Sequence, residues 1–244
     1  MRYLIILMSS ILFQSAFKQT QLKHARVKTA YNEKELVVKG YFKEKGLHYT
    51  GFNLFIRAFK QEAQLEVWIR EKDTRQYKLL HAYAICTSSG TLGPKRKEGD
   101  YQVPEGIYEI NHFNPQSNFH LSLGISYPNA SDKILSRATR LGGDIYIHGN
   151  CVTIGCMPLT DDKIKELYVL AVEAKDGGQA SIPVHIFPRK LTDSAIAELS
   201  QEFASSKTNI AFWNNLQLIY QDFETNHILK PVVINKKGEY HFNK

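Results

Sequence analysis

Between residues 52 and 188 the chain is cut into short runs of aromatic and branched residues, and this restricts the fold more than any other feature. The runs are FNLFIRAF (52–59), QLEVWIRE (64–71), YKLLHAYAI (77–85), GIYEINHF (106–113), FHLSL (119–123), GDIYIHG (143–149) and IPVHIFP (182–188). Partial alternation and lengths of five to nine residues read as strands. Between them lie SSGTLGP, VPEG, NPQS and YPNASD, whose Gly, Pro, Asn and Ser are turn chemistry. A mostly antiparallel β domain follows.

Helical signals flank and interrupt it. Residues 31–46 mix charges with apolar residues at helical spacing and meet a stop at Gly46. Thr160 and Asp161 can cap a helix whose Ile164, Leu167, Tyr168 and Ala171 share one face. Beyond Pro188 two stripes recur, Ile196, Leu199 and Phe203, then Phe212, Leu216, Ile219 and Phe223, both read as core packing. The tail around Gly238 reads as a surface end. The fold class is therefore mainly β with flanking helices (α+β). It divides into a leader (1–17), an N-terminal helical segment (18–51), the β domain (52–188) and a C-terminal helical extension (189–244).

The leader sets the expected compartment. MRYLIILMSSILFQSAF opens on Arg2 and is uncharged from Tyr3 to Phe17. That is shorter than the roughly 20 residues of a spanning helix and fits a secretory signal cleaved near Ala16. The expectation is an exported, soluble, periplasmic or secreted protein, a monomer with no stable membrane insertion once the signal is removed. The net charge of +7 favours an anionic partner, but export keeps the chain from nucleic acid. Three cysteines are too few for a disulfide scaffold, and the odd count leaves at least one thiol free.

Candidate chemistry concentrates in D144-I-Y-I-H-G-N-C-V-T-I-G-C-M-P-L-T-D161. A catalytic thiol needs a base, because its ordinary pKa of about 8.5 leaves little thiolate at neutral pH. His148 can serve Cys156 in that way. Gly149 and Gly155 allow tight turns that aim backbone amides at a reacting carbonyl. Three other readings stand beside catalysis: a Cys151–Cys156 disulfide, zinc held by His148, Cys151 and Cys156, and plain buried cysteines. In an active enzyme Cys151 is expected to be reduced and dispensable. No metal or cofactor is expected. G90-T-L-G-P-K95 lacks the spacing of a phosphate loop. His185 reads as surface or satisfied core, and Asn129-Ala130-Ser131 matches a glycosylation sequon.

The segment resembles the active-site motif of the L,D-transpeptidase catalytic-domain (YkuD-like) family, a His-Gly followed by Ser/Thr-x-Gly-Cys. His148-Gly149 and Thr153-Ile154-Gly155-Cys156 supply the two halves, and G93-P-K-R-K-E-G-D100 with V103-P-E-G-I-Y108 resembles the family's upstream strand and turn. The resemblance covers about Leu54 to Pro188. It implies an L,D-transpeptidase-like β-sandwich and a Cys thioester mechanism on peptidoglycan stem peptides, with a role in cell-wall biogenesis and cell shape. Cys156 is the implied nucleophile, His148 the base, Gly149 its backbone support, and Gly155 and Thr153 support the oxyanion. Only seven residues separate His148 from Cys156, where many members have about fifteen, a spacing similar to a murein L,D-transpeptidase-like branch. Met157 and Pro158 stand where many members carry Arg, a natural partner for a substrate carboxylate. Lys95, Arg96, His120, Tyr127 and Asn129 are further candidates for substrate contact. A hydrolase of carboxypeptidase or amidase type with the same site, and a non-catalytic wall-binding domain, are the alternatives.

Overall fold

The computed structural model describes residues 16–243, so the predicted leader lies outside the described residues except for its last two positions. Residues 16–21 form a short helix, and Phe17 packs edge-on against Phe113 with ring centroids 5.1 Å apart. Helix α1 then runs Ala25–Glu44. It starts earlier than the predicted 31–46, because His24 gives it no side-chain cap and its first turn has no acidic residue, so its start carries no sequence signal. Val27, Ala30, Tyr31, Val38 and Phe42 form its buried stripe.

Strands β1 (Asn53–Phe59), β2 (Gln64–Arg70), β3 (Lys78–Ala84), β4 (Gly106–Asn114), β5 (Ser122–Ile125), β6 (Tyr146–His148), β7 (Met157–Pro158) and β8 (Pro183–Phe187) make one sheet, ordered β3-β2-β1-β8-β4-β5-β6-β7. The pairings are antiparallel except β1 with β8 and β6 with β7. β4 belongs to both halves. Gly106–Glu109 pairs with β8 and Ile110–Asn114 with β5, with a register shift between Ile110 and His112, and there the sheet curls.

Both faces of the sheet's middle are covered, which explains why β1 and β8 read as nearly continuous apolar runs. Leu54, Ile56 and Ala58 enter the larger core with α3 (Asp161–Asp176), on which α1 lies. Phe59 and Phe187 face the second core, built on α4 (Asp193–Glu202) and α5 (Lys207–Asn226). The cap predicted for α3 is present, with Lys163 N–H donating to Thr160 Oγ1 at 3.4 Å.

Two elements differ from expectation. YPNASD, read as a turn, contains the N-cap of α2 (Ala130–Leu135), with Asn129 and Asp132 in a reciprocal capping box. The tail forms a hairpin, β9 (Val232–Ile234) with β10 (Tyr240–Phe242), rather than a surface end. Tyr240 is 1% exposed, and its hydroxyl accepts from Asn129 Nδ2 at 2.9 Å. Among the described residues no helix is long and apolar enough to cross a membrane.

Candidate active site

β6 and β7 run parallel, pairing Ile147 with Met157 and His148 with Pro158. The chain must therefore leave β6 at His148, turn back, and re-enter alongside at Met157. Residues Gly149–Cys156 form that return. Gly149 leaves no room for a side chain: a Cβ there would meet Asp161 Oδ1 at 2.6 Å and Phe119 O at 2.9 Å. Gly155 has φ +141°, a conformation that L side chains rarely adopt. The return sets Cys156 beside the start of β6, where Tyr146 N–H donates to its Sγ at 3.4 Å.

Thr153 pins the turn. Its Oγ1 accepts from Gly155 N–H at 3.1 Å and Cys156 N–H at 2.8 Å, and donates to Cys156 O at 2.9 Å. The two amides expected to face an oxyanion thus have an internal acceptor, and Tyr146 N–H is the amide aimed at the sulfur.

His148 is buried, and its Nδ1 lies 2.5 Å from Gly149 O. A carbonyl oxygen only accepts, so Nδ1 carries the proton and the neutral ring leaves Nε2 bare. Burial pushes the imidazole pKa down, and the bond to Gly149 opposes it only in part. Burial likewise pushes the Cys156 thiol up, with Asp144 adding to the rise while Tyr146 N–H and Lys95 counter it. The resting pair is therefore a neutral thiol and a neutral imidazole, the arrangement of a general base and not of a preformed thiolate.

Cys156 and His148 line one cavity of about 230 Å³, together with Phe119, Asn118, Tyr146 and Asp144. On its other side Cys156 borders a second cavity of about 250 Å³ with Lys95, Tyr101, Asp144, Ile154 and Gly155. Ile154 and Tyr101 are exposed apolar groups at its rim.

The cysteine expectation is corrected. Cys151 is bonded to Cys86 across a sequence separation of 65, and Cys156 is the free cysteine. This removes the Cys151–Cys156 pairing and the reduced Cys151, and a bonded Cys151 is not available as a zinc thiolate. The bond ties the return loop to the end of β3, where Cys86 N–H also donates to Pro158 O at 3.0 Å.

The remaining candidates separate. Lys95 lines the second cavity, but its Nζ is paired with Asp100 at 2.6 Å. Arg96 binds Asp132 at 2.9 Å and lies over the Phe212 ring. Tyr127 is buried, its hydroxyl donating to Leu141 O at 3.1 Å, and Asn129 caps α2. His120 has φ +69° and a buried Nε2 without a hydrogen bond. Arg96, His120, Tyr127 and Asn129 line none of the cavities next to Cys156, so the structure gives them packing, capping or loop-shaping positions in place of the expected cleft. His185 lies in the core, where burial, helped by Arg57, holds its pKa down at about 3. Sequence reading passed over Cys86, Phe119 and Asp144. Asp144 alone carried a signal, as the polar residue opening the strand that leads to His148.

The β fold thus brings a free cysteine and a histidine to one cavity. Residues 54–186 match the L,D-transpeptidase catalytic domain (YkuD), and the chain belongs to that family. It is 34% identical over 200 residues to "Putative L,D-transpeptidase YafK" of Escherichia coli (strain K12), covering 81% of this chain and 77% of that protein. Among solved structures it is similar to the helical cell shape determining protein Pgp2 from Campylobacter jejuni, with 17% identity, a TM-score of 0.46, and coverage of 76% of this chain and 73% of that one.

Proposed function

We propose that the chain is an exported cysteine acyltransferase that performs L,D-transpeptidation on peptidoglycan stem peptides. The observation that carries the reading is the cavity shared by the free Cys156 and by His148, whose tautomer is fixed by Gly149 O. Membership of the L,D-transpeptidase family supports the substrate class. The Cys86–Cys151 bond supports export, since disulfides persist in oxidising compartments. The leader is the route, the cell envelope the destination, and the monomer the working unit. A part in cell shape follows from acting on the wall.

In this mechanism the Cys156 thiol gives its proton to His148 Nε2 as Sγ bonds to the carbonyl carbon of the stem peptide. Tyr146 N–H, which already faces Sγ, is assigned to the developing oxyanion. The C–N bond then breaks, and the imidazolium returns its proton to the leaving amine, giving the thioester. An acceptor amine attacks the thioester while Nε2 takes its proton; the C–S bond then breaks and the imidazolium returns that proton to Sγ, so that Cys156 leaves as the thiol. The two cavities meeting at Cys156 offer separate approaches for donor and acceptor. Incubation of the protein with defined stem peptides and mass analysis of the products tests this. Cross-linked dimers are the expected product, trimmed monomers would assign the second step to water, and unchanged peptides would leave a wall-binding domain.

A further inference from the structure

The loop between β4 and β5, residues 115–121, lies against the histidine of the site. Phe119 places its ring 4.6 Å from the His148 ring, centroid to centroid, with 31° between their planes. The backbone of the same loop rests on Gly149. Phe119 O and His120 Cβ occupy the space a Gly149 side chain would need, and Gly149 N–H donates to Leu121 O at 3.2 Å. His148 thus has its Nδ1 tied to Gly149 and one face against Phe119; the loop supplies the second constraint and packs on the residue that supplies the first.

The loop has little of its own to hold it. Apart from the Gly149 N–H bond to Leu121 O, its bonds are short-range, such as Gln116 N–H to Asn114 Oδ1 and Phe119 N–H to Ser117 Oγ, and His120 is held at positive φ. The long-range side-chain anchor of its tip is Arg26 on α1. Its Nη1 donates to Ser117 O at 2.5 Å and to His120 O at 2.7 Å, so one guanidinium nitrogen grips the loop on either side of Phe119. Arg26 stands outside residues 54–186, the stretch matched to the family's catalytic domain.

We infer that Phe119 is a positioning residue for the His148 imidazole, and that Arg26 holds it there, making the N-terminal helix part of the catalytic apparatus. The inference rests on the reading of His148 as the base. Two soft torsions govern where Nε2 points. The Gly149 bond fixes one edge of the ring, and the Phe119 face limits rotation about that edge. Loss of either the face or its anchor lets Nε2 sweep away from Sγ, and misplacement of about 1 Å is enough to cost up to 10²-fold in rate.

The test uses the full chain with its disulfide intact and histidine labelled for NMR. The parent His148 Cε1–H signal is expected upfield of the ordinary range, displaced by the Phe119 ring. Arg26→Ala and Phe119→Leu should both return it toward that range, while Phe119→Tyr keeps it. In parallel, the burst of nitrophenol from nitrophenyl acetate reports acylation of Cys156 without calling on stem-peptide recognition. It should slow about 10-fold in Arg26→Ala and Phe119→Leu with KM little changed, and recover in Phe119→Tyr. Thermal melting shows that the variants are folded. Arg26 is a surface residue, so its variant decides the matter even if Phe119→Leu does not fold. An unmoved His148 signal in Arg26→Ala, or a parental burst rate in either variant, overturns the inference. A parent that acylates normally but leaves stem peptides untouched defeats the proposed substrate and not this inference. A parent without a burst removes His148 as base and the inference with it.

Discussion

Reduction of the Cys86–Cys151 bond should weaken the whole protein and loosen the site together. The bond spans a sequence separation of 65. By the loop-closure relation, cross-linking that length removes denatured-chain entropy equivalent to about 4 kcal/mol at 25 °C. Against a typical domain stability of about 5–15 kcal/mol, that is a large share. Its local effect follows from where it lands. Cys151 is in the return between His148 and Cys156, and Cys86 is bonded through its amide to Pro158 of β7. Without the bond, the turn carrying Cys156 keeps its Thr153 and backbone hydrogen bonds but loses its covalent tie to the end of β3. Urea unfolding of the oxidised protein, the reduced protein and the Cys86→Ser/Cys151→Ser variant measures the global term. The latter two should share one midpoint, well below that of the oxidised form. Coincident midpoints for all three would show that the bond adds no stability, and three alkylatable thiols in protein recovered from an oxidising compartment would show that it does not form.

Three further outcomes are expected. His148→Ala should lower turnover by about 10²-fold or more and erase the imidazole limb of the pH–rate profile; a variant with the parent's rate and profile removes His148 from the chemistry. Because burial and then Asp144 push the Cys156 thiol up, its alkylation by iodoacetamide should keep rising with pH past about 8.5, and Asp144→Asn should move that curve to lower pH. A plateau already reached at pH 7 would contradict the neutral-thiol assignment. His185 is held neutral, with its pKa down at about 3, while the unfolded residue titrates near ~6.5. The stability it contributes is therefore complete above pH 6.5 and is lost as pH falls toward 3, about 3 kcal/mol by pH 4.5. His185→Gln should flatten the fall in urea midpoint between pH 7 and 4.5, and an equal fall in both proteins would count against it.

The strands were legible because their side chains sit in a strict environment. β1 alternates between the larger core on one face and apolar clusters holding Phe55 and Phe59 on the other, so both faces are apolar and Arg57 stands out as the exception, paired with Glu66 at 2.7 Å. The start of α3 was legible because Thr160 is a local cap. Most of the features that escaped notice are non-local, α2 being the local exception. α2 is hidden because Asn129 and Asp132, turn residues by type, are its capping box. The β9–β10 hairpin depends on Tyr240 reaching Asn129 from 111 residues away. The Cys86–Cys151 pairing joins segments 65 residues apart, and nothing in the spacing of three cysteines selects it. In the site, His148 and Cys156 could be paired on paper because motif and chemistry agree. The diversion of the Gly155 and Cys156 amides to Thr153 was readable in principle, since a Thr two or three residues before an amide often takes it. Phe119 could not be found, because its partner is a ring from another strand's loop.

In the proposed reaction Cys156 forms a thioester with a stem-peptide acyl group. The direct measurement is intact-mass analysis of the disulfide-bonded protein after brief mixing with a stem peptide and acid quench, followed by peptide mapping. The protein should gain a mass equal to the donor acyl group. The added mass should sit on the peptide containing Cys156, be lost to hydroxylamine, and be absent from a folded Cys156→Ala variant. A peptide consumed with no adduct in any quench, or an adduct and turnover that persist in Cys156→Ala, would contradict it.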